Sequence, residues 1–138
     1  MKKVTIAFLI LIFAFTACAP AAPPLEDRTW VLQSYGQPGN LKNIISGTEI
    51  TAQFLSAENR LAGSGGCNSC FGTYTISGGK ITVSDIGATK KFCGSPAGVM
   101  DQEQTYFNIL GKAQSYEVQE DTLTIKSSAG QEMLFRRK

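Results

Sequence analysis

From Arg28 onward, apolar and polar residues alternate in short runs, the period-two pattern of strands with one face on a core and one in water. Thr29 to Tyr35 is the first such run and stops at Gly36. Gln37 to Gly47, with Pro38, Gly39 and Asn40, predicts a loop from which Ile44 and Ile45 dip back to the core. Glu49 to Leu55 predicts the next strand, and Asn59 to Gly63 another, broken by Gly63-Ser64-Gly65-Gly66. Phe71 to Ser77 and Lys80 to Ser84 are joined by Gly78-Gly79, a hairpin turn whose two positions accept positive φ at no steric cost. Ile86 to Phe92 predicts a further strand. A single segment changes period. Val99, Met100, Glu103, Tyr106, Phe107 and Leu110 recur at three- and four-residue spacing, with Ser95 as cap, Pro96 in the first turn and Gly111 as the stop. Ser115 to Gln119, Thr122 to Lys126 and Glu132 to Arg136 predict three closing strands. The expected fold is mainly β (α+β), an antiparallel meander with one helix inserted before the last three strands.

Ahead of this pattern stands one unbroken apolar run, Val4 to Phe15, preceded by Lys2 and Lys3 and closed by Phe15-Thr16-Ala17-Cys18. Basic, then apolar, then small residues read as an export signal, and the run is shorter than the roughly 20 residues a spanning helix needs. A cysteine directly after small residues resembles a bacterial lipoprotein lipobox, with Phe15 where Leu is usual. That divides the chain into a signal peptide at 1–17, a lipidated Cys18 with a Pro/Ala-rich tether to residue 27, and a domain at 28–138. The alternative is an ordinary secretory signal cut near Ala17, Ala19 or Ala22. Lipidation predicts a membrane partner through the lipid and a place in the cell envelope. With Ala19 rather than Asp after Cys18, that place is the outer membrane facing the periplasm in a cell with two membranes. In a cell with one, it is the outer face of that membrane.

Charge adds an exclusion. Lys and Arg number 13 and Asp and Glu 11, and removing Lys2 and Lys3 leaves 11 against 11. A neutral domain gives no electrostatic reason to expect nucleic acid, and Arg136-Arg137-Lys138 reads as a solvated tail. The chain has no histidine. That excludes Ser-His-Asp and Cys-His catalysis and imidazole metal sites, so no catalytic residue, metal or cofactor is expected.

Three cysteines remain beyond Cys18, namely Cys67, Cys70 and Cys93, and an odd number in an oxidising compartment predicts one disulfide and one spare thiol. Cys67-Asn68-Ser69-Cys70 has CxxC spacing, but a redox motif needs a helix N-terminus to lower its first thiol, and here a strand follows. Gly63-Ser64-Gly65-Gly66 lacks the following helix and the Lys of a phosphate loop, so it reads as a tight bend or a close approach of backbone. Glu103 shares a helical face with apolar residues. A buried carboxylate must find donors or become neutral, and the glycine-rich loop can supply backbone N–H groups.

Four stretches then resemble one family. Leu61-Ala62-Gly63-Ser64-Gly65-Gly66-Cys67-Asn68, Phe71-Gly72-Thr73-Tyr74, Ile86 to Cys93 and Glu103-Gln104-Thr105-Tyr106-Phe107 are similar to the META domain, the family of the heat-shock protein HslJ. Trp30 matches its opening strand, and Leu123 with Phe135 its closing ones. The resemblance spans roughly Arg28 to Arg136. It implies a small barrel-like sheet with the helix packed on it, and structural roles for Gly65, Gly66, Asn68, Glu103 and Gln104. It also implies an envelope location, often as a lipoprotein, and links to heat shock and novobiocin resistance without an established enzymatic activity. Its paired cysteines fall on Cys67 and Cys93, with Cys70–Cys93 as the rival pairing because Cys70 stands where an aromatic or polar residue is usual. Such a bridge contributes about 3 to 4 kcal/mol by restricting the unfolded chain. The expected function is a monomeric, non-enzymatic, lipid-anchored protein with a binding or stress-tolerance role, its partner an envelope protein or a small apolar ligand. The alternatives are a thiol–disulfide protein using Cys67 and Cys70, or a carrier of that apolar ligand inside the barrel.

Overall fold

The structure is a computed structural model that describes residues 24–138. The expected signal peptide, the lipid attachment at Cys18 and the tether up to residue 23 lie outside the described residues. Among the described residues there are nine strands and one helix. They are β1 (Thr29–Gln37), β2 (Asn40–Asn43), β3 (Thr51–Leu55), β4 (Arg60–Ser64), β5 (Ser69–Ser77), β6 (Lys80–Ala88), α1 (Val99–Leu110), β7 (Ala113–Gln119), β8 (Thr122–Ser127) and β9 (Glu132–Arg137).

Every pairing is antiparallel, from β3 to β9 each strand pairs with the next in the chain, and β1 closes the sheet by pairing with both β3 and β9, Leu32 facing Phe135 and Trp30 facing Arg137. The short β2 pairs with β1 alone, so eight of the nine strands form the closed ring. Closure removes the exposed edges that an open meander would present. Alternation does the rest. Inward positions of β1, β3, β5, β8 and β9 fill the interior with Trp30, Leu32, Phe54, Tyr74, Leu123, Ile125, Met133 and Phe135, each at most 2% exposed. Phe54 and Tyr74 meet edge-on with ring centroids 5.2 Å apart.

Two plugs stop the ends. At one end α1 turns Tyr106, Ile109 and Leu110 inward. At the other, Leu25 is buried, Trp30 Nε1 donates to its carbonyl at 2.8 Å, and the Tyr74 hydroxyl donates to Glu26 Oε1 at 2.5 Å.

The expected meander with one helix before the last three strands is present, and three local expectations need correction. The loop predicted at Gln37–Gly47 contains β2, because Pro38-Gly39, with Gly39 at φ +81°, makes a hairpin turn. The predicted strands Lys80–Ser84 and Ile86–Phe92 are one strand, β6, bent by an extra residue near Asp85 (φ +54°) and ending at Ala88. Ser95 does not cap the helix. Gly98, in the left-handed region at φ +83°, precedes α1 without a side-chain cap, and the helix owes its place to the buried face Val99, Gln102, Glu103, Tyr106, Ile109 and Leu110.

Leu25 has no strand to hold it, so its burial is what keeps the lower plug seated. Leu25→Ala is expected to lower stability by about 2 to 4 kcal/mol in urea unfolding. A loss below about 0.5 kcal/mol, the range of an ordinary surface change, would show that residues 24–28 are not part of the core.

Candidate functional site

The residues singled out from the sequence converge where β4 gives way to β5 beneath α1. After Ser64 the chain must turn inward at once, and two glycines permit it. A Cβ on Gly65 would stand 2.6 Å from both Glu103 Oε2 and Phe107 Cζ, so only glycine lets the helix come this close. Gly66 takes φ +107°, which turns the next two backbone N–H groups toward the helix. Those groups, on Cys67 and Asn68, donate to Glu103 Oε2 at 3.1 and 2.6 Å. The Asn68 side-chain amide donates to Glu103 Oε1 at 2.7 Å.

Asn68 is the hub. Its Nδ2 also donates to the Lys91 carbonyl at 3.1 Å, while its Oδ1 accepts from Lys91 N and from Thr89 Oγ1, both at 2.7 Å. Both amide hydrogens and both oxygen lone pairs are therefore used. Asn68 and Glu103 are 3% and 4% exposed, so each bond is made out of water. The Cys67–Cys93 disulfide, with Cα atoms 6.0 Å apart, ties the same two segments covalently. One carboxylate, one amide and one bridge thus join the β4–β5 loop, the segment after β6 and α1.

The rival Cys70–Cys93 pairing does not form. Cys67 sits in the rim loop beside Cys93, whereas Cys70 is the second residue of β5 and points into the barrel, a free thiol 3% exposed. Burial pushes the Cys70 thiol up to about 11, with the Glu103 charge acting in the same direction. Burial likewise raises the Tyr106 hydroxyl well above its usual value.

Gln104, expected alongside Glu103, is not part of this cluster. One helical step of about 100° takes it to the exposed face, where its amide reaches only Asn108 at 3.4 Å. The neighbour that does act is Gln102, a residue not expected at the site. Its Oε1 accepts from Ile45 N at 2.6 Å and its Nε2 donates to Thr48 Oγ1 at 3.0 Å, fastening the β2–β3 connection to the helix. Its spacing of four residues from Tyr106 puts it on the buried face, but an uncharged amide there does not stand out in the sequence as the Glu103 charge does.

Among the described residues, no group of three His, Cys, Asp or Glu side chains is arranged to hold a metal ion. The hydrogen bonds and the disulfide of the cluster hold α1 to the barrel. Beside it, between β6 and the outer face of α1, lies a cleft of about 450 Å³ lined by Ile86, Gly87, Ala88, Gln104, Phe107 and Gly111.

The family model described as META domain matches residues 23–138. A protein from Burkholderia xenovorans, solved by NMR, is similar at 25% identity and TM-score 0.70, over 92% of this chain and 99% of that one. A DUF4847 family protein from Bacteroides vulgatus, in a crystal structure, shares the fold at 14% identity and TM-score 0.58, over 81% of this chain and 93% of that one. No curated protein matches the sequence at a significant level.

Removing the hub would leave a buried carboxylate short of a donor and the Lys91 backbone unpaired. Asn68→Ala is expected to cost at least about 3 kcal/mol in denaturant unfolding, against under about 1 kcal/mol for Gln104→Ala. Cys70 sets a pH dependence. Its thiol stays protonated in the folded chain above the pH at which the unfolded thiol ionises, so the unfolded chain binds fewer protons there and stability falls as pH rises from about 9 toward 11. The fall measured by urea midpoints should be shallower in Cys70→Ala, and equal slopes would show that the thiol is not shielded.

Proposed function

The chain belongs to the META domain family, and from that premise we propose that it is a lipid-anchored envelope protein whose domain binds a partner rather than catalysing a reaction, in a stress-tolerance role. The observation that carries this reading is that the buried Asn68–Glu103 cluster is given over to structure. Both Glu103 oxygens and the whole Asn68 amide are spent on holding α1 to the barrel. A general acid or base has to exchange its proton with a substrate, and Glu103, buried and accepting three hydrogen bonds from the Cys67–Asn68 loop, is turned to that loop instead.

The two alternatives draw less support. A dithiol–disulfide cycle at Cys67 and Cys70 needs those two sulfurs paired and one thiol low, whereas Cys67 is bonded to Cys93 and Cys70 is raised to about 11. A carrier needs an empty interior, whereas Trp30, Tyr74, Tyr106, Phe54 and Phe135 fill this one at under 2% exposure or close to it. Anchoring rests on the Lys2-Lys3, Val4–Phe15 and Ala17-Cys18 pattern. The first described residues, Pro24 and Leu25, lie at the barrel end opposite α1, so a short tether from Cys18 would set that end toward the membrane.

Intact mass of the protein extracted from membranes, before and after reduction, tests this. The expected species begins at Cys18, carries acyl chains, and holds one disulfide and one free thiol. A species cut elsewhere and free of lipid would overturn the anchoring, and turnover abolished by Glu103→Gln in a folded protein would overturn the binding role.

A further inference from the structure

Among the described residues one buried side-chain polar atom has no hydrogen-bond partner, Nη1 of Arg28. A guanidinium offers only donors and stays charged, so a donor shut away from water without an acceptor is costly. Other arginines at the same end of the barrel do not share this state. Arg60 pairs with Glu58 at 3.0 Å and Arg137 with Asp121 at 2.6 Å, both pairs well exposed. Arg28 is half-buried, and among the described residues it has no ion pair.

Arg28 lines a pocket of about 200 Å³ with Asp27, Thr29, Gln53 and Leu55, at the end of the barrel that Leu25 plugs. The groups around it are held in place. Asp27 takes φ +58°, its N–H donates to the Phe54 carbonyl at 2.8 Å, and its carboxylate accepts from Ser56 N at 3.1 Å and Ser56 Oγ at 2.6 Å. The Ser56 hydroxyl, and after it the Ser56 N–H, hold this exposed carboxyl below the usual carboxylate range, and each oxygen keeps a lone pair to spare. Thr29 Oγ1 accepts from Gln53 Nε2 at 2.5 Å, which leaves the hydroxyl hydrogen to donate. A cation short of an acceptor, a hydroxyl hydrogen and a carboxylate thus share one small pocket. Its volume is below the roughly 300 Å³ at which sites for drug-sized ligands begin, so it admits a polar group and not a whole molecule.

We propose that this pocket takes a phosphate ester bearing a primary amine, the chemistry of a zwitterionic phospholipid headgroup, with the phosphate on Arg28 and Thr29 and the ammonium on Asp27. The inference deepens the lipid-anchored reading above and rests on it. Charge chooses the occupant. A plain phosphate or an anionic headgroup would give Arg28 its acceptor but set a negative charge beside Asp27 with nothing to offset it. A choline headgroup carries the phosphate, but its methylated nitrogen has no hydrogen for the Asp27 carboxylate. An amine-bearing phosphate meets both charges. Position agrees with this. Arg28 stands ten residues after Cys18, at most about 36 Å of extended chain, and Pro24, the first described residue, lies at the same end of the barrel. A domain tethered at Cys18 therefore brings this pocket within reach of the headgroups.

The test uses the full protein as purified from cells, held in dodecyl maltoside micelles, with native mass spectrometry counting the lipid it retains. Dioleoyl-phosphatidylethanolamine is expected to bind as a single adduct, about fivefold more tightly than dioleoyl-phosphatidylcholine or dioleoyl-phosphatidylglycerol. Arg28→Gln is expected to weaken that adduct about tenfold without lowering the melting temperature, because it removes a donor that has no partner in the protein. Asp27→Asn should bring phosphatidylethanolamine down to the phosphatidylcholine level. Phosphoethanolamine in solution should displace the lipid, and inorganic phosphate at the same concentration should not. Equal displacement by the two would mark a plain anion site, and binding of phosphoethanolamine without any lipid adduct would mark a soluble ligand; either overturns the headgroup. Adducts indifferent to headgroup or to Arg28→Gln, no adduct at all, or a melting temperature lowered by Arg28→Gln would overturn the site itself. Acylation of Cys18 is read from the same spectra as a covalent mass, so its failure and the failure of the pocket are told apart.

Discussion

A carboxylate buried where a helix meets a barrel is the constraint on which the rest of this structure depends. Glu103 must have donors, and among the described residues those that reach it belong to a loop that can approach α1 because Gly65 has no side chain. The same loop then has to turn its N–H groups toward the helix, which the positive φ of Gly66 allows. Asn68 completes the arrangement by joining Glu103 to Lys91 and Thr89. None of these residues does its part without the others, since removing one leaves a buried polar group unmatched in a region of low dielectric. The disulfide adds to this clasp a tie that does not depend on pH or ionic strength.

The clasp also explains how a single helix, α1, closes one end of the barrel. Interior strands supply Trp30, Phe54, Tyr74 and Phe135, but a ring of strands leaves two open mouths. Leu25 stops one with a single side chain and the Glu26–Tyr74 bond. The other is stopped by α1, which has no side-chain cap at its start and depends on contacts made by its buried face. Gln102 and Glu103 fasten that face to two separate connections, at Ile45–Thr48 and at Cys67–Asn68. With the helix committed to the mouth, β6 is left without a full partner, and the outer cleft follows from the way the barrel is closed.

Much of this was legible in the chain, and the exceptions have physical causes. Strands with one wet face declared themselves by alternation, as β3, β5 and β8 show, and Gly78-Gly79 marked its hairpin. Glu103 stood out because a charge on an apolar helical face requires an explanation. The pairing of Cys67 rather than Cys70 with Cys93 depended on which way each side chain points, and that was set by the start of β5 at Ser69, a boundary that composition does not reveal. Gln102 escaped notice because an amide at a core position is indistinguishable from a surface amide until its partners, Ile45 and Thr48, some 50 residues earlier in the chain (57 and 54 positions away), are brought to it. The role that the family resemblance implies for Gln104 is not seen in the cluster, because neighbours along a helix face different directions. The Ser95 cap failed for a related reason, since tertiary burial and not local capping decides where α1 begins.

The central claim is that Asn68 and Glu103 make the helix and barrel one cooperative unit. Native-state hydrogen exchange of the Cys67 and Asn68 amides, followed at increasing sub-denaturing urea, measures this directly. The account predicts that both exchange only through global unfolding, with the same free energy and urea dependence as the Leu32 and Leu61 amides in the barrel wall. Exchange of Cys67 and Asn68 through a low-energy, urea-independent opening, while the wall stays protected, would contradict it.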